Sequence, residues 1–285
     1  MKIIFCCSPF NYRVVDPDYE QEYISAIKNG FEVELVNFEE LEKNNIDKSI
    51  KTILPSDNSE TALFRGWMLK PETYQLFYSS LESKNISLIN KPDEYLNCHY
   101  FPYSYEIIKD KTPKSIYFDF DKNLDYTQIM KLLSVFNGKP ILIKDYVKSQ
   151  KHKWKDACFI HSSNDENEIK RVTDNFINLQ GSDLNKGLVY REFLELEFIG
   201  EHSKSKMPLT KEYRLFFLNG KLVEKYNYWD EGTYTLEDNF IDEFLEIAKF
   251  IKSNFFTMDI AKTISGDWKI IELGDGQVSG LPDNA

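Results

Sequence analysis

The sequence predicts an α/β unit over residues 1–110, followed by an α+β unit with antiparallel sheets over residues 111–285. Three observations predict it. Apolar strand patterns alternate with helical ones through the first third of the chain. That alternation breaks down at Asp110-Lys111-Thr112-Pro113-Lys114, which marks a boundary. Two hairpins then lie near the C-terminus, turning at Asn219-Gly220 and at Ser265-Gly266. Asn-Gly between apolar-alternating runs is a strong hairpin signal, because both central residues of a type I′ turn need φ > 0.

In order along the chain, residues 2–7 form an apolar strand and residues 18–29 a helix ending at Gly30. Residues 31–37 alternate as a strand, and 38–60 are polar, a loop or weak helix. Residues 61–67 form a strand, 71–84 a helix with proline in its first turn, and 86–90 a short strand. Residues 95–109 are partly helical, interrupted by Pro102. In the second unit, 124–136 is a helix, 139–147 a strand, 148–157 a basic, mobile loop, and 166–179 an amphipathic helix. Residues 188–198 form a strand with a polar tail. A helix at 239–253 separates the two hairpins. No internal repeat or low-complexity tract interrupts this order.

Apolar residues make up 42% of the 285, enough for a real core, and the 28% charged fraction is that of a globular chain. A net charge of −11 argues against a general nucleic-acid or membrane-surface binder. No apolar run approaches the length of a membrane span, and the N-terminal apolar stretch breaks at Ser8-Pro9, too soon for a signal peptide. Cys6, Cys7, Cys98 and Cys158 lack zinc-ligand spacing and read as small buried hydrophobes in a reducing cytoplasm. His99, His152, His161 and His202 are scattered and suggest neither a triad nor a zinc site.

The hairpins carry the chemistry. With Asn219-Gly220 as turn residues, Arg214 falls opposite Lys225. With Ser265-Gly266 as turn residues, Asp259 falls opposite Glu272. Like charges directly across a strand pair repel. Paired cations suit a polyphosphate, and paired carboxylates suit a hard divalent cation, so the two together imply a Mg²⁺-nucleotide. Lys144 falls inside an apolar strand, and Lys148, four residues on, is expected to share its face. Two ammonium groups followed by a basic loop suit a triphosphate held by point charges. The Gly-x-x-x-x-Gly-Lys-Ser/Thr and Gly-x-Gly-x-x-Gly loops and the protein-kinase signatures are absent.

In order, Lys144, the segment Val189-Tyr190-Arg191-Glu192-Phe193-Leu194, Arg214, Asp259 and Glu272 resemble the ATP-grasp superfamily, and within it the third family of the R2K clade. That clade is marked by one arginine and two lysines. Arg65 in Phe64-Arg65-Gly66-Trp67-Met68, with the lysines of Lys144-Asp145-Tyr146-Val147-Lys148-Ser149, matches that trio. The resemblance covers nearly the whole chain and implies a pre-grasp domain, then a grasp domain. It implies ATP and Mg²⁺ as cofactors and roles residue by residue. Lys144 contacts phosphates, and Lys148 does likewise or meets the acyl phosphate. Glu192, Phe193 and Leu194 form the hinge that binds adenine, and Glu195 or Glu197 holds the ribose. Arg214 lies over the transferring phosphoryl group. Asp259 and Glu272 hold Mg²⁺. Related ligases show Glu-x-Asn where this chain has Glu272-Leu273-Gly274, so Asp275 is the candidate to replace the missing asparagine.

The implied function is ATP-dependent ligation of a carboxylate to an amine through an acyl phosphate. Arg65 grips the carboxylate acceptor, which is a small molecule, peptide or protein. The alternatives are a nucleotide-binding regulatory protein weakened in catalysis, and a kinase that makes no acyl intermediate.

Overall fold

The computed structural model describes residues 1–203, 208–232, 234 and 241–281. The first unit comprises β1 (Lys2–Ser8), β2 (Asn11–Val15), α1 (Glu20–Lys28), β3 (Glu32–Val36), α2 (Phe38–Glu42), α3 (Ile46–Ser49), β4 (Glu60–Arg65), α4 (Pro71–Glu82), β5 (Ile86–Leu88), α5 (Pro92–His99) and α6 (Phe101–Ile108). Strands β3, β1, β4 and β5 pair in parallel, and β2 adds antiparallel to the end of β1. Pro71 and Pro92 start their helices, where a missing N–H costs nothing. Pro102 does not interrupt one helix; it starts a second, α6, after a break at Tyr100. Strand β2 has a burial pattern too exposed for periodicity to mark it.

The remaining chain gives β6 (Ser115–Asp119), α7 (Tyr126–Leu133), β7 (Ile141–Asp145), α8 (Trp154–Ala157), β8 (Phe159–Ile160), α9 (Glu166–Gln180), β9 (Gly187–Glu192), β10 (Phe198–Glu201), β11 (Pro208–Thr210), β12 (Glu212–Leu218), β13 (Lys221–Asn227), α10 (Ile241–Ala248), β14 (Phe255–Lys262) and β15 (Trp268–Asp275). Residues 239 and 240 of the expected helix lie outside the described residues. Asp125 and Asp165 cap α7 and α9 by accepting first-turn amides. These strands make two four-stranded antiparallel sheets, β6-β9-β7-β8 and β13-β12-β14-β15, plus the β10–β11 pair.

One face of the β6-β9-β7-β8 sheet, with Ile141, Ile143, Leu188 and Tyr190, packs on α7 and α9. In the other sheet, Tyr213, Leu215, Phe217, Phe256, Met258, Ile260 and Leu273 form a core with α10 and with Cys98, Tyr100 and Phe101 of the α5–α6 region. The α5–α6 helices therefore pack against the last sheet. A polar seam joins that sheet to the first unit. Asn90 Nδ2 donates to Phe255 O at 2.6 Å while Asn90 Oδ1 accepts from Phe255 N at 2.8 Å, and Asn254 Nδ2 donates to Ile89 O at 2.9 Å. No described helix is long and apolar enough to cross a membrane.

Candidate active site

Period-two alternation puts Arg214, Asp259 and Glu272 on the face of the last sheet opposite its core. Arg214 pairs in register with Asp259, and Asp259 with Glu272. Arg214 Nε and Nη2 donate to the two Asp259 oxygens at 2.8 and 2.7 Å, a bidentate fork. Its Nη1 donates to Gly280 O at 3.0 Å, and the guanidinium lies 5.0 Å from the Tyr228 ring. Burial alone would lower the Arg214 pKa, but the Asp259 carboxylate outweighs it and pushes it up. Lys144 Nζ donates to Glu272 Oε1 at 2.7 Å. At Glu272 desolvation raises the carboxyl, but Lys144, Arg191 and Arg214 together hold it below the usual range.

The charges across the cleft thus run Arg214, Asp259, Glu272, Lys144. The two carboxylates do face each other, as expected from the sequence, but each already has a cation on its outer side. The two cations expected to face each other do not. Asn219 and Gly220, at φ 50 and 70°, form the expected turn, but a bulge between Phe216 and Phe217 shifts the register. Arg214 therefore pairs with Tyr226, and Lys225 pairs with Leu215, on the other face. Lys225 does not belong to the row. The second hairpin, unlike the first, is not a two-residue turn. Thr263 N donates to Asp267 O and Gly266 N to Thr263 O, so the strands start out with Lys262 opposite Trp268. A bulge between Ile260 and Asp259 then brings Glu272 opposite Asp259.

Lys144 reaches this row from β7, where it pairs with Val189 of β9 and is half-buried. Lys148 does not follow on the same strand face. Asp145, fully buried, accepts the amides of Val147 and Lys148 at 2.7 and 2.5 Å. The chain turns back there, with Asp145 N donating to Lys148 O. The turn is locked from behind by Gln180 Nε2, Asn185 N and Asn185 Nδ2, all within 3.0 Å of Asp145 Oδ2. Lys148 is exposed beyond the turn. Both lysines nevertheless act on His99, whose pKa is lowered to about 4 by burial first and by the two ammonium groups, partly offset by Glu272.

Two predicted site residues lie elsewhere. Arg65 is buried and committed to the protein. Its Nε and Nη2 bind Glu22 at 2.7 and 2.8 Å, and Nη1 donates to the carbonyls of Gly276, Gln277 and Ser279 at 2.9–3.0 Å. It ties β4 to the segment after β15 and does not present an open fork to a carboxylate. Asp275 is on the opposite face of β15 from Glu272, because the two are three residues apart. It accepts from Asn90 Nδ2 at 2.5 Å and Gln277 N at 2.9 Å, and burial pushes its carboxyl up to about 7. It cannot join Asp259 and Glu272. Gly274 does share the Glu272 face, but a Cβ there would lie 2.7 Å from Thr257 Oγ1 and 2.9 Å from Ser279 Oγ. Those hydroxyls occupy the space an asparagine would need.

At the expected hinge, the amides of Glu192 and Phe193 already donate to Lys114 O and Pro140 O, and the Glu192 carboxylate binds Lys139 at 2.7 Å. Phe193 packs edge-on against Phe159 and Trp154. Leu194 leads on to Glu195, which is exposed, while Glu197 lies 3.7 Å from both Lys211 and Lys262. Glu212, not anticipated from the sequence, lies two residues before Arg214 on the same face. Trp229 Nε1 and Thr210 Oγ1 both donate to it, and burial pushes its carboxyl up to about 7. The same two-residue spacing from Arg214 would have found it.

The description "ATP-grasp domain, R2K clade family 3" matches residues 136–285, more than half of the chain. The chain belongs to that family. The ATP-grasp fold also covers the first unit in solved structures. The ligase PsnB, complexed with a minimal precursor, Mg and ADP, is 12% identical, with a TM-score of 0.55 over 99% of this chain and 90% of that one. D-cycloserine synthetase DcsG is 11% identical, with a TM-score of 0.59 over 97% and 92%. D-alanine–D-alanine ligase from Bacillus anthracis, complexed with ATP, is 18% identical, with a TM-score of 0.57 over 99% and 88%. No curated protein matches the sequence.

Among the described residues no three His, Cys, Asp or Glu side chains cluster as a metal cage. Asp259 and Glu272 side by side, each with one cation, fit a Mg²⁺ ion that arrives with phosphate oxygens rather than one bound alone.

Proposed function

We propose that this protein is an ATP-dependent ligase that joins a carboxylate to an amine through an acyl phosphate. The observation that carries the reading is the row Arg214, Asp259, Glu272, Lys144 between two sheets of an ATP-grasp fold. Asp259 and Glu272 would hold Mg²⁺, which neutralises phosphate charge. Lys144 would exchange Glu272 for a phosphate oxygen, and Lys148 would add a second point charge from beyond the Asp145 turn. Arg214 would stabilise the transferring phosphoryl group. Phosphoryl transfer depends on position and charge, so a site without a dedicated nucleophile suffices.

The hinge would hold adenine with Leu194 as the remaining candidate amide, since those of Glu192 and Phe193 are taken. Glu195 or Glu197 would meet the ribose. Arg65 supports the site as a strut rather than as the acceptor grip. The acceptor is a peptide or small-molecule carboxylate, in keeping with the PsnB precursor. The domain boundary falls near residue 110, and the protein works in the cytoplasm.

A phosphate-release assay across amino acids and peptides tests this. The expected result is release that needs ATP, a carboxylate and an amine together. A stable phosphorylated product without free phosphate would establish kinase chemistry instead. A second reading, nucleotide binding without turnover, is favoured by Gly274 and its crowded surroundings. Nucleotide binding with no phosphate release against any pair of acceptors would support it.

A further inference from the structure

Arg191 has entered so far only as one of the charges that act on Glu272. It sits on β9, paired with Leu142, on the face that also carries Lys144. Its guanidinium crosses to β15. Nη1 donates to Ile271 O at 2.5 Å, and Nη2 donates to Ile270 O at 3.0 Å and Thr112 Oγ1 at 2.6 Å. Thr112 Oγ1 donates in turn to Ile270 O at 2.8 Å, and Ile270 N donates to Lys111 O at 2.7 Å. Among the described residues Arg191 Nε is buried with no partner. An unpaired buried N–H is costly, so a guanidinium held this way is oriented by its other contacts.

Both backbone carbonyls it binds belong to the β15 bulge. Ile270 pairs with Ile260 and Glu272 with Asp259, so Ile271 is the extra residue. Without it, Ile271 would lie beside Asp259, and Glu272 would face Met258, which is fully buried in the core. The bulge turns the carboxylate from the core face to the site face. Its carbonyls accept from Arg191 and Thr112.

We propose that Arg191 is a positioning residue for the metal–nucleotide site: by holding the Ile270–Ile271 bulge it sets Glu272 beside Asp259. This rests on the reading of Glu272 as a Mg²⁺ ligand. Partners one step removed from a metal typically change its affinity about ten- to a hundredfold when lost.

The test is calorimetric titration of the full chain with ATP, in EDTA and at rising Mg²⁺, for Arg191→Met, Glu272→Gln and the double variant. Arg191→Met is expected to raise the Mg²⁺ needed for half-maximal tightening about tenfold or more, with ATP affinity in EDTA unchanged. The double variant should be no worse than Glu272→Gln. Equal loss with and without Mg²⁺ would mean general structural damage and overturn the proposal, as would an unmoved Mg²⁺ midpoint. An unmoved midpoint in Glu272→Gln would instead overturn the metal reading itself. If Arg191→Met does not fold, Thr112→Val decides, because it removes one donor to Ile270 O and one acceptor of Arg191 Nη2 while keeping the guanidinium charge. A smaller shift in the same direction supports the proposal, and no shift overturns it.

Discussion

Replacing Lys144 by methionine separates its two partners, Glu272 and the nucleotide. In the structure its ammonium lies 2.7 Å from Glu272 Oε1, with side-chain exposures of 12% for the lysine and 43% for the glutamate. Because the glutamate side is nearly half exposed, the pair contributes at most about 1 kcal/mol to folding. A charge-assisted contact to a phosphate is worth about 1.5–3 kcal/mol, so the Kd for Mg-ATP should rise about ten- to a hundredfold. The methionine also leaves Asp259 and Glu272 with Arg214 as their sole cation within the row. Mg²⁺ alone should therefore bind more tightly to the variant than to the parent, the reverse of its effect on ATP. Calorimetry with ATP, with Mg²⁺ and with both reads the two changes separately. An unchanged Kd for Mg-ATP in a folded variant would show that Lys144 serves Glu272 and not the phosphates.

Four further outcomes follow from the site. Arg65→Met should leave ATP affinity intact but cost about 3–5 kcal/mol in urea unfolding, because it strands the Glu22 carboxylate and three carbonyls; a cost below about 1 kcal/mol would refute the strut. Glu212 holds its proton to about pH 7 when folded and loses it at an ordinary carboxylate pKa when unfolded. Stability should therefore fall as pH rises between those two values and stay flat above, by at most about 3 kcal/mol. Glu212→Gln should abolish this fall, and parallel pH curves for parent and variant would refute it. Gly274→Asn should destabilise, and Thr257→Ala with Ser279→Ala should relieve it, as read by melting temperature; no relief would place the clash elsewhere. Asp275→Asn should leave cooperative Mg²⁺ and ATP binding unchanged.

The alternation of strands and helices, the Asn219-Gly220 turn and a partner for Lys144 were legible in the sequence because they rest on local signals. Asn219-Gly220 announces a turn, and a lysine inside an apolar strand announces a partner. What was not legible is register beyond a bulge. A bulge at the first hairpin moved Lys225 off the face of Arg214, while one at the second kept Asp259 and Glu272 together. Nothing in the residues Val223 or Ile271 marks them as extra, because a bulge is selected by what satisfies its freed backbone groups, and at Ile271 that is Arg191 and Thr112, far away in sequence. Arg65 and Asp275 misled for a related reason. A charged residue at a strand end can serve either a ligand or the packing between units, and only the contacts of Glu22, Asn90 and Gln277 distinguish them.

The polar seam at Asn90 and Asn254 fastens the parallel sheet to β14 through both backbone groups of Phe255, so those two bodies behave as one frame. The β6-β9-β7-β8 lobe is attached differently. Arg191 fixes it to β15, while Lys144, about 7 Å further along the paired strands, meets Glu272 through a single ion pair. A lever with its fulcrum at the guanidinium and its tip at the ammonium results. Tyr146 and Val189 of that lobe also belong to the apolar cluster shared with α5–α6 and the last sheet, so a tilt about the guanidinium would break the ion pair first and shear that apolar seam only as far as the tilt is large.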